Sequence, residues 1–258
     1  MKKLLLILAI GCVLSCTTDN HSSKTECTST KFIHAEKIQF PSLDSLTITA
    51  NLYHNDNTLP VIVLCHQAGF NKFEYTKIAQ TLHEKGYNCI AIDQRSGGHV
   101  LESFNETFSV AEQNGASVEF VDAEQDIIAA INYASKRYNK NVILWGSSYS
   151  ATLALHNINE NKNIDAVIAF SPGSYLDPFK GSLKDKLNIT EMPMFITSSK
   201  EEAGEITALL EGSQLNENQI HFIPKEEGSH GSSALWKTGK NNQEYWQAIF
   251  NFLERINI

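Results

Sequence analysis

The sequence predicts an α/β domain, a mostly parallel sheet of about eight strands with helices on both faces and little or no cap. Three observations predict it. Short apolar runs recur along the chain, helical patterns fall between them, and small and polar residues gather directly after the runs. Strand, helix, strand repeated in this way implies right-handed crossovers and a sheet buried on both sides.

The first two extended stretches, HAEKIQF and SLTITANLYH, alternate apolar with polar residues, as strands with one solvated face do. The next six are continuous: PVIVLCH (60–66), YNCIAID (87–93), NVILWG (141–146), DAVIAFS (165–171), PMFITSS (193–199) and QIHFIP (219–224). Unbroken apolar runs of this length suit interior parallel strands. Between them, KFEYTKIAQTLHEKG places Tyr75, Ile78, Ala79 and Leu82 on one helical face and stops at Gly86. VEFVDAEQDIIAAINYASKRY, ATLALHNI, EEAGEITALLEG and NNQEYWQAIFNFLERI complete the alternation. The polar stretch 96–117 reads as a loop following a strand end, with Phe104 and Phe108 as its apolar residues.

The N-terminus follows other rules. Lys2 and Lys3 precede the apolar run LLLILAI, which is too short for a comfortable membrane span, and GCVLSC follows. Cysteine after "VLS" resembles a bacterial lipobox. The expectation is a lipoprotein signal segment over 1–15 and Cys16 as the lipidated residue, with Cys12 as the alternative. A polar tether then spans 16–33 and the folded domain 34–258. This places the protein at a bacterial cell envelope, held to the membrane by its N-terminal lipid alone. The formal net charge of −8 and the lack of a basic stripe argue against nucleic acid as a partner. Cys65 and Cys89 lie inside apolar runs and read as small buried hydrophobes; no spacing among the five cysteines suggests a disulfide framework or a zinc site.

In an open parallel sheet, ligands bind beyond the carboxyl ends of the strands. After NVILW comes Gly146-Ser147-Ser148-Tyr149-Ser150, followed at once by a helix. A sharp strand-to-helix turn would lift the Ser148 hydroxyl above the sheet and aim a helix N-terminus beside it. A serine nucleophile needs a base held by a third group. His230, in KEEGSHGSS between the last strand and the last helix, is the candidate base. The third group should be a carboxylate after a strand between the two. Glu201 is favoured by its spacing from the strand end, with Glu202 and Asp177 as alternatives. The N–H of Tyr149 supplies one donor to a developing oxyanion, and Gln67 or Ala68 in the turn His66-Gln67-Ala68-Gly69 supplies the other. His66 itself reads as a turn-stabilising residue.

The motifs HQAG (66–69), DQRSGG (93–98), GSSYS (146–150), SSKEE (198–202) and GSHG (228–231), in that order, resemble the α/β-hydrolase family, and within it the dienelactone hydrolase-like and bacterial serine esterases. Two departures stand out: HQ replaces the familiar HG, and a serine at 150 replaces the second glycine of GxSxG. The resemblance implies hydrolysis of a small-molecule carboxylic ester, or of a thioester or amide, through an acyl-enzyme on a Ser-His-acid triad, with no metal and no cofactor. The alternatives are a non-catalytic ligand-binding envelope lipoprotein on the same fold, and a serine peptidase or acyltransferase using the same triad.

Overall fold

The computed structural model describes residues 33–258. It opens with two antiparallel strands, β1 (Glu36–Pro41) and β2 (Thr47–Tyr53). Ile38 and Phe40 of β1 turn inward while Glu36, Lys37 and Gln39 face out, the alternation expected of an edge strand with one wet face. Then follow β3 (Val61–Cys65), α1 (Thr76–Glu84), β4 (Asn88–Ile92), α2 (Glu106–Asn114), α3 (Ala123–Tyr138), β5 (Val142–Ser147) and α4 (Tyr149–Asn157). The chain finishes with β6 (Ile164–Phe170), α5 (Asp177–Lys180), α6 (Leu183–Leu187), β7 (Met194–Thr197), α7 (Ala203–Leu209), β8 (Gln219–Phe222) and α8 (Asn242–Ile256). All eight expected strands form, in one sheet of order β1-β2-β4-β3-β5-β6-β7-β8. From β4 to β8 every neighbour is parallel, and every residue of β3, β4 and β5 is buried.

Helices cover both faces. One apolar layer gathers Ile127 and Ile131 of α3, Leu153 of α4, Leu183 of α6 and Ile206 of α7. The other gathers Ile78 and Leu82 of α1 with Tyr245, Ile249, Phe252 and Leu253 of α8, a one-sided stripe at helical spacing. Cys65 and Cys89 are buried free thiols, pushed up by burial and so chemically quiet.

The strand order decides where a site can form. After β3 the chain moves to β4 on one side and then returns to place β5 on the other, so the order reverses between β3 and β5. Crevices open at such a switch point. In the β3–β5 register Cys65 lies opposite Gly146, so the segment following β3, His66 to Gly69, lies beside the segment following β5, Ser147 to Ser150.

The stretch 96–117 departs from its expected loop character, because α2 folds inside it. Asn105 accepts the Phe108 N–H at 2.7 Å to start the helix, and Gly115 ends it with φ 64°. The helix has almost no apolar stripe, burying only Thr107 and Ala111. Polar contacts hold it instead: Thr107 accepts the Thr49 N–H at 2.9 Å, and Glu106 pairs with Lys72 at 3.1 Å. Hydrophobic periodicity therefore could not reveal it.

Ile33–Ile258 forms one compact unit, and no helix among the described residues is long and apolar enough to cross a membrane. The expected signal segment 1–15, the tether up to residue 32, Cys12 and Cys16 lie outside the described residues.

Candidate active site

Ser148 stands at the tip of the turn between β5 and α4 with φ 59° and ψ −122°. A β-carbon makes positive φ unfavourable, and such strain persists only where the surroundings enforce it. Several contacts enforce it. The Ser148 N–H donates to the Phe170 carbonyl at 2.7 Å, and its carbonyl accepts the Thr152 N–H at 3.1 Å. Gly146 is required by space, since a β-carbon there would lie 2.5 Å from the Ala151 backbone. Ser150, in place of a second glycine, is bonded into the turn: its hydroxyl accepts the Ser147 N–H at 2.9 Å and lies 2.8 Å from the Cys65 carbonyl. That hydroxyl links the elbow to the end of β3.

His230 arrives on the segment between β8 and α8. The Gly231 N–H donates to the Ser171 hydroxyl at 3.0 Å, and the Ser232 N–H donates to the Ser147 hydroxyl at 2.8 Å. A β-carbon on Gly231 would lie 2.6 Å from that same hydroxyl, so glycine lets the histidine loop press against the elbow. The ring is exposed, and its Nδ1 is hydrogen-bonded to Oε1 of Glu202. Nε2 is therefore the ring nitrogen left for proton transfer. Among the described residues no hydrogen bond joins the Ser148 hydroxyl to the ring.

The carboxylate beside His230 is thus Glu202, not the favoured Glu201. Glu201 is exposed and makes no side-chain hydrogen bond among the described residues. Asp177 is also elsewhere, accepting the Leu183 N–H at the start of the short helices after β6. The reason for the one-residue shift is local. The chain reverses after β7 through a turn in which the Glu202 N–H faces the Ser199 hydroxyl at 3.3 Å, while the Ser199 N–H and hydroxyl reach back to Glu202 Oε2 at 3.1 and 3.0 Å. This reciprocal Ser-x-x-Glu contact is of capping-box type. Ser198-x-x-Glu201 has the same pattern, but the Ser198 hydroxyl is spent on the Ser199 carbonyl at 2.9 Å. Ser171 completes the cradle, donating to Glu202 Oε2 at 2.8 Å.

The charges follow from these contacts. Burial would raise the Glu202 carboxyl, but the His230 and Ser171 hydrogen bonds, the imidazolium charge and the Ser199 N–H outweigh it, pulling the group from 4.5 to about 2. His230 is raised above 6.5, chiefly by its hydrogen bond to Glu202 and against the opposing effect of burial. An open cleft of about 810 Å³ lies on the acid side of His230, lined by Glu201, Glu202, Glu205, Glu227 and Lys200 among others. Ser148 does not line it.

The oxyanion side is more buried. Tyr149 is the first residue of α4, so its N–H has no partner within the helix. Its ring is held below, with the hydroxyl bonded to Gln94 and Ser96 at 2.7 and 2.6 Å and Phe120 packed against the ring at 4.7 Å. In the facing turn, the Gln67 N–H is not available. It donates to Glu74 Oε2 at 2.9 Å, which corrects its expected role, because a buried carboxylate claims the proton first. The Ala68 N–H makes no hydrogen bond among the described residues, and Ala68 is exposed. His66 braces the turn: its Nδ1 donates to the Gln67 carbonyl at 2.9 Å and its Nε2 accepts the Gln94 N–H at 2.9 Å. The DQRSGG segment supports it from behind, with Asp93 paired to the fully buried Lys72 at 2.7 Å and Arg95 to Asp126 at 2.8 Å.

Comparison with known proteins places this geometry in a family. The family model described as serine aminopeptidase, S33, matches residues 56–200, more than half of the chain, and spans both the His66–Gly69 turn and the Ser148 elbow. No curated protein sequence matches. Among solved structures, an esterase of Pyrococcus furiosus superposes with a TM-score of 0.67 at 17% identity, covering 86% of this chain and 93% of that one. The α/β hydrolase GrgF of Penicillium sp. sh18 does so with 0.65 at 15% identity, over 86% and 98%. A Klebsiella pneumoniae protein assigned to the dienelactone hydrolases gives 0.61 at 13% identity, over 84% and 97%. At such identities the likeness speaks for the fold. The eight-stranded, mostly parallel sheet and the matched segment together make this chain a hydrolase of α/β-hydrolase fold, belonging to the serine aminopeptidase S33 family.

Proposed function

We propose that the protein is a serine hydrolase that cleaves carboxylic esters of small molecules, with Ser148 as nucleophile, His230 as base and Glu202 as the acid that orients it. The observation that carries this reading is the pairing of a strained serine at a strand-to-helix elbow with a histidine loop that packs on the same elbow and holds a carboxylate on its far nitrogen. In the reaction, His230 Nε2 takes the proton of the Ser148 hydroxyl as Oγ bonds to the ester carbonyl carbon. The N–H groups of Tyr149 and Ala68 accept the charge that develops on the carbonyl oxygen. Collapse breaks the bond to the alcohol, which leaves with the proton from His230, and water then repeats the sequence on the acyl-enzyme. Glu202, held anionic, keeps the proton on Nδ1 and stabilises the imidazolium.

The test uses the domain 34–258, one covalent probe and two substrate classes. Labelling by a fluorophosphonate probe and turnover of short p-nitrophenyl esters are expected, both lost in Ser148→Ala. Turnover of aminoacyl p-nitroanilides in preference to the esters would move the reading to a peptidase. Neither labelling nor turnover would leave a binding protein on the same fold. We propose further that Cys16 carries a lipid that holds the protein at the cell envelope, a reading supported by the LSC motif after a short apolar segment. Palmitate incorporation into the full chain, lost in Cys16→Ala, is the expected result; incorporation lost only in Cys12→Ala would shift the anchor.

A further inference from the structure

The triad leaves one ionisable group at the site without a role. Glu74, in the helical turn Lys72–Tyr75 ahead of α1, is 1% exposed. It has no ion-pair partner among the described residues, although burying a lone carboxylate is unfavourable. Its hydrogen bonds explain what holds it there. Oε2 accepts the Gln67 backbone N–H at 2.9 Å; Oε1 accepts the Ser147 hydroxyl at 2.9 Å and the Gln67 side-chain amide at 3.2 Å. The Ser147 hydroxyl donates here because it already accepts the Ser232 N–H. All three groups bonded to Glu74 act as donors, an arrangement that favours the carboxylate over the acid. The Glu74 carbonyl, in addition, accepts the indole N–H of Trp236 at 2.9 Å, from the segment that follows His230. One residue thus touches the oxyanion turn, the nucleophile elbow and the histidine segment.

We infer that Glu74 is a positioning residue: its buried carboxylate turns the Gln67 N–H away from the substrate, leaves the Ala68 N–H as the second oxyanion donor, and clamps that turn to the elbow. The two N–H groups differ in their engagement: that of Gln67 is taken by Glu74, and that of Ala68 has no partner among the described residues. Burial pushes the group up to about 7, and the hydrogen bonds from Gln67 and Ser147 act against that rise by favouring the ionised form. The inference rests on Ser148 acting as the nucleophile.

Glu74→Gln keeps the volume but sets an amide N–H₂ against donors. The expected result is a kcat lowered about ten- to hundredfold, in line with the effect of misplacing one oxyanion donor, with KM changed less than about threefold. A trifluoromethyl ketone, whose serine hemiketal oxyanion mimics the transition state, should bind more weakly by a similar factor, while the product alcohol, which carries no acyl oxygen, binds unchanged. A loss of packing alone would not divide the two ligands in this way. Folded Glu74→Gln protein with wild-type kcat and wild-type affinity for the ketone overturns the inference. Should that variant be insoluble, Ser147→Ala carries the test, since it removes one donor from the carboxylate; a kcat within twofold of wild type then overturns it. Wild-type protein that fails to react with fluorophosphonate removes the nucleophile, and this inference with it. Wild type that reacts beside an indifferent Glu74→Gln sinks the role of Glu74 alone.

Discussion

Two glutamates border the same site and are driven in opposite directions. Glu202, on the exposed side, accepts hydrogen bonds from a histidine and two serines and is drawn down to about 2. Glu74, on the enclosed side, accepts three hydrogen bonds against the four of Glu202, yet burial lifts it to about 7. What separates them is less the number of donors than their surroundings. Glu202 faces a group that takes up positive charge, and part of it remains in contact with water; Glu74 faces only neutral donors in a dry interior. In the proposed reaction, one side of the site stabilises charge that moves and the other holds a backbone turn still. Carboxylates pushed apart in this way mark a division of labour within a site.

The variants below act on the two sides unequally. The largest effect belongs to Ser148→Ala, expected to lower kcat by about 10⁴-fold or more and to abolish fluorophosphonate labelling. Next is Glu202→Gln, expected to lower kcat by about 10²–10⁴-fold, as loss of the group that orients the base does elsewhere. It also carries a signed pH effect. His230 must be neutral to accept a proton, and Glu202 raises its titration, so activity in the wild type is lost as pH falls through that raised value. Removing the carboxylate charge moves the acid limb of kcat to lower pH; a limb that stays in place, read from a pH–rate profile, would break the pairing.

Smaller effects concern stability. Ser150→Ala leaves the buried Ser147 N–H without its side-chain partner, while the Cys65 carbonyl keeps the Tyr75 hydroxyl, and should destabilise the fold by about 1–3 kcal/mol, measured by urea unfolding. The Glu202–His230 pair contributes stability through a carboxyl depressed below 4.5; this contribution is present above that value and is lost as pH falls toward about 2. The urea midpoint of wild type should therefore fall toward that of Glu202→Gln as pH drops from 4.5 to about 2. Glu201→Gln is expected to change neither kcat nor the midpoint by a measurable amount, because its side chain is exposed and makes no hydrogen bond among the described residues.

The sheet was readable because burial on both faces forces long apolar runs, and these survive as VIVLC, NCIAI and VILW in plain order. The elbow was readable for a related reason: a serine between a buried strand and a helix has few places to go. The bonding role of Ser150 is not legible in the sequence, since hydroxyl contacts to a strand 85 residues earlier leave no trace in spacing. The same holds for α2, which polar contacts fasten, and for Glu74, whose surroundings in KFEY read as an ordinary helix face.

What the order of residues settles, then, is the mostly parallel sheet and the serine and histidine delivered to strand ends, because periodicity dictates where backbones run; the strand order, with its switch point between β3 and β5, belongs to the folded sheet. Which carboxylate meets the histidine, and which N–H is free for an oxyanion, is settled only in the folded molecule. Those choices depend on the direction of single side chains: Glu201 and Glu202 are adjacent in the chain, but only one turns toward the ring, and Gln67 and Ala68 differ because Glu74, seven residues on from Gln67, folds back to claim the first N–H.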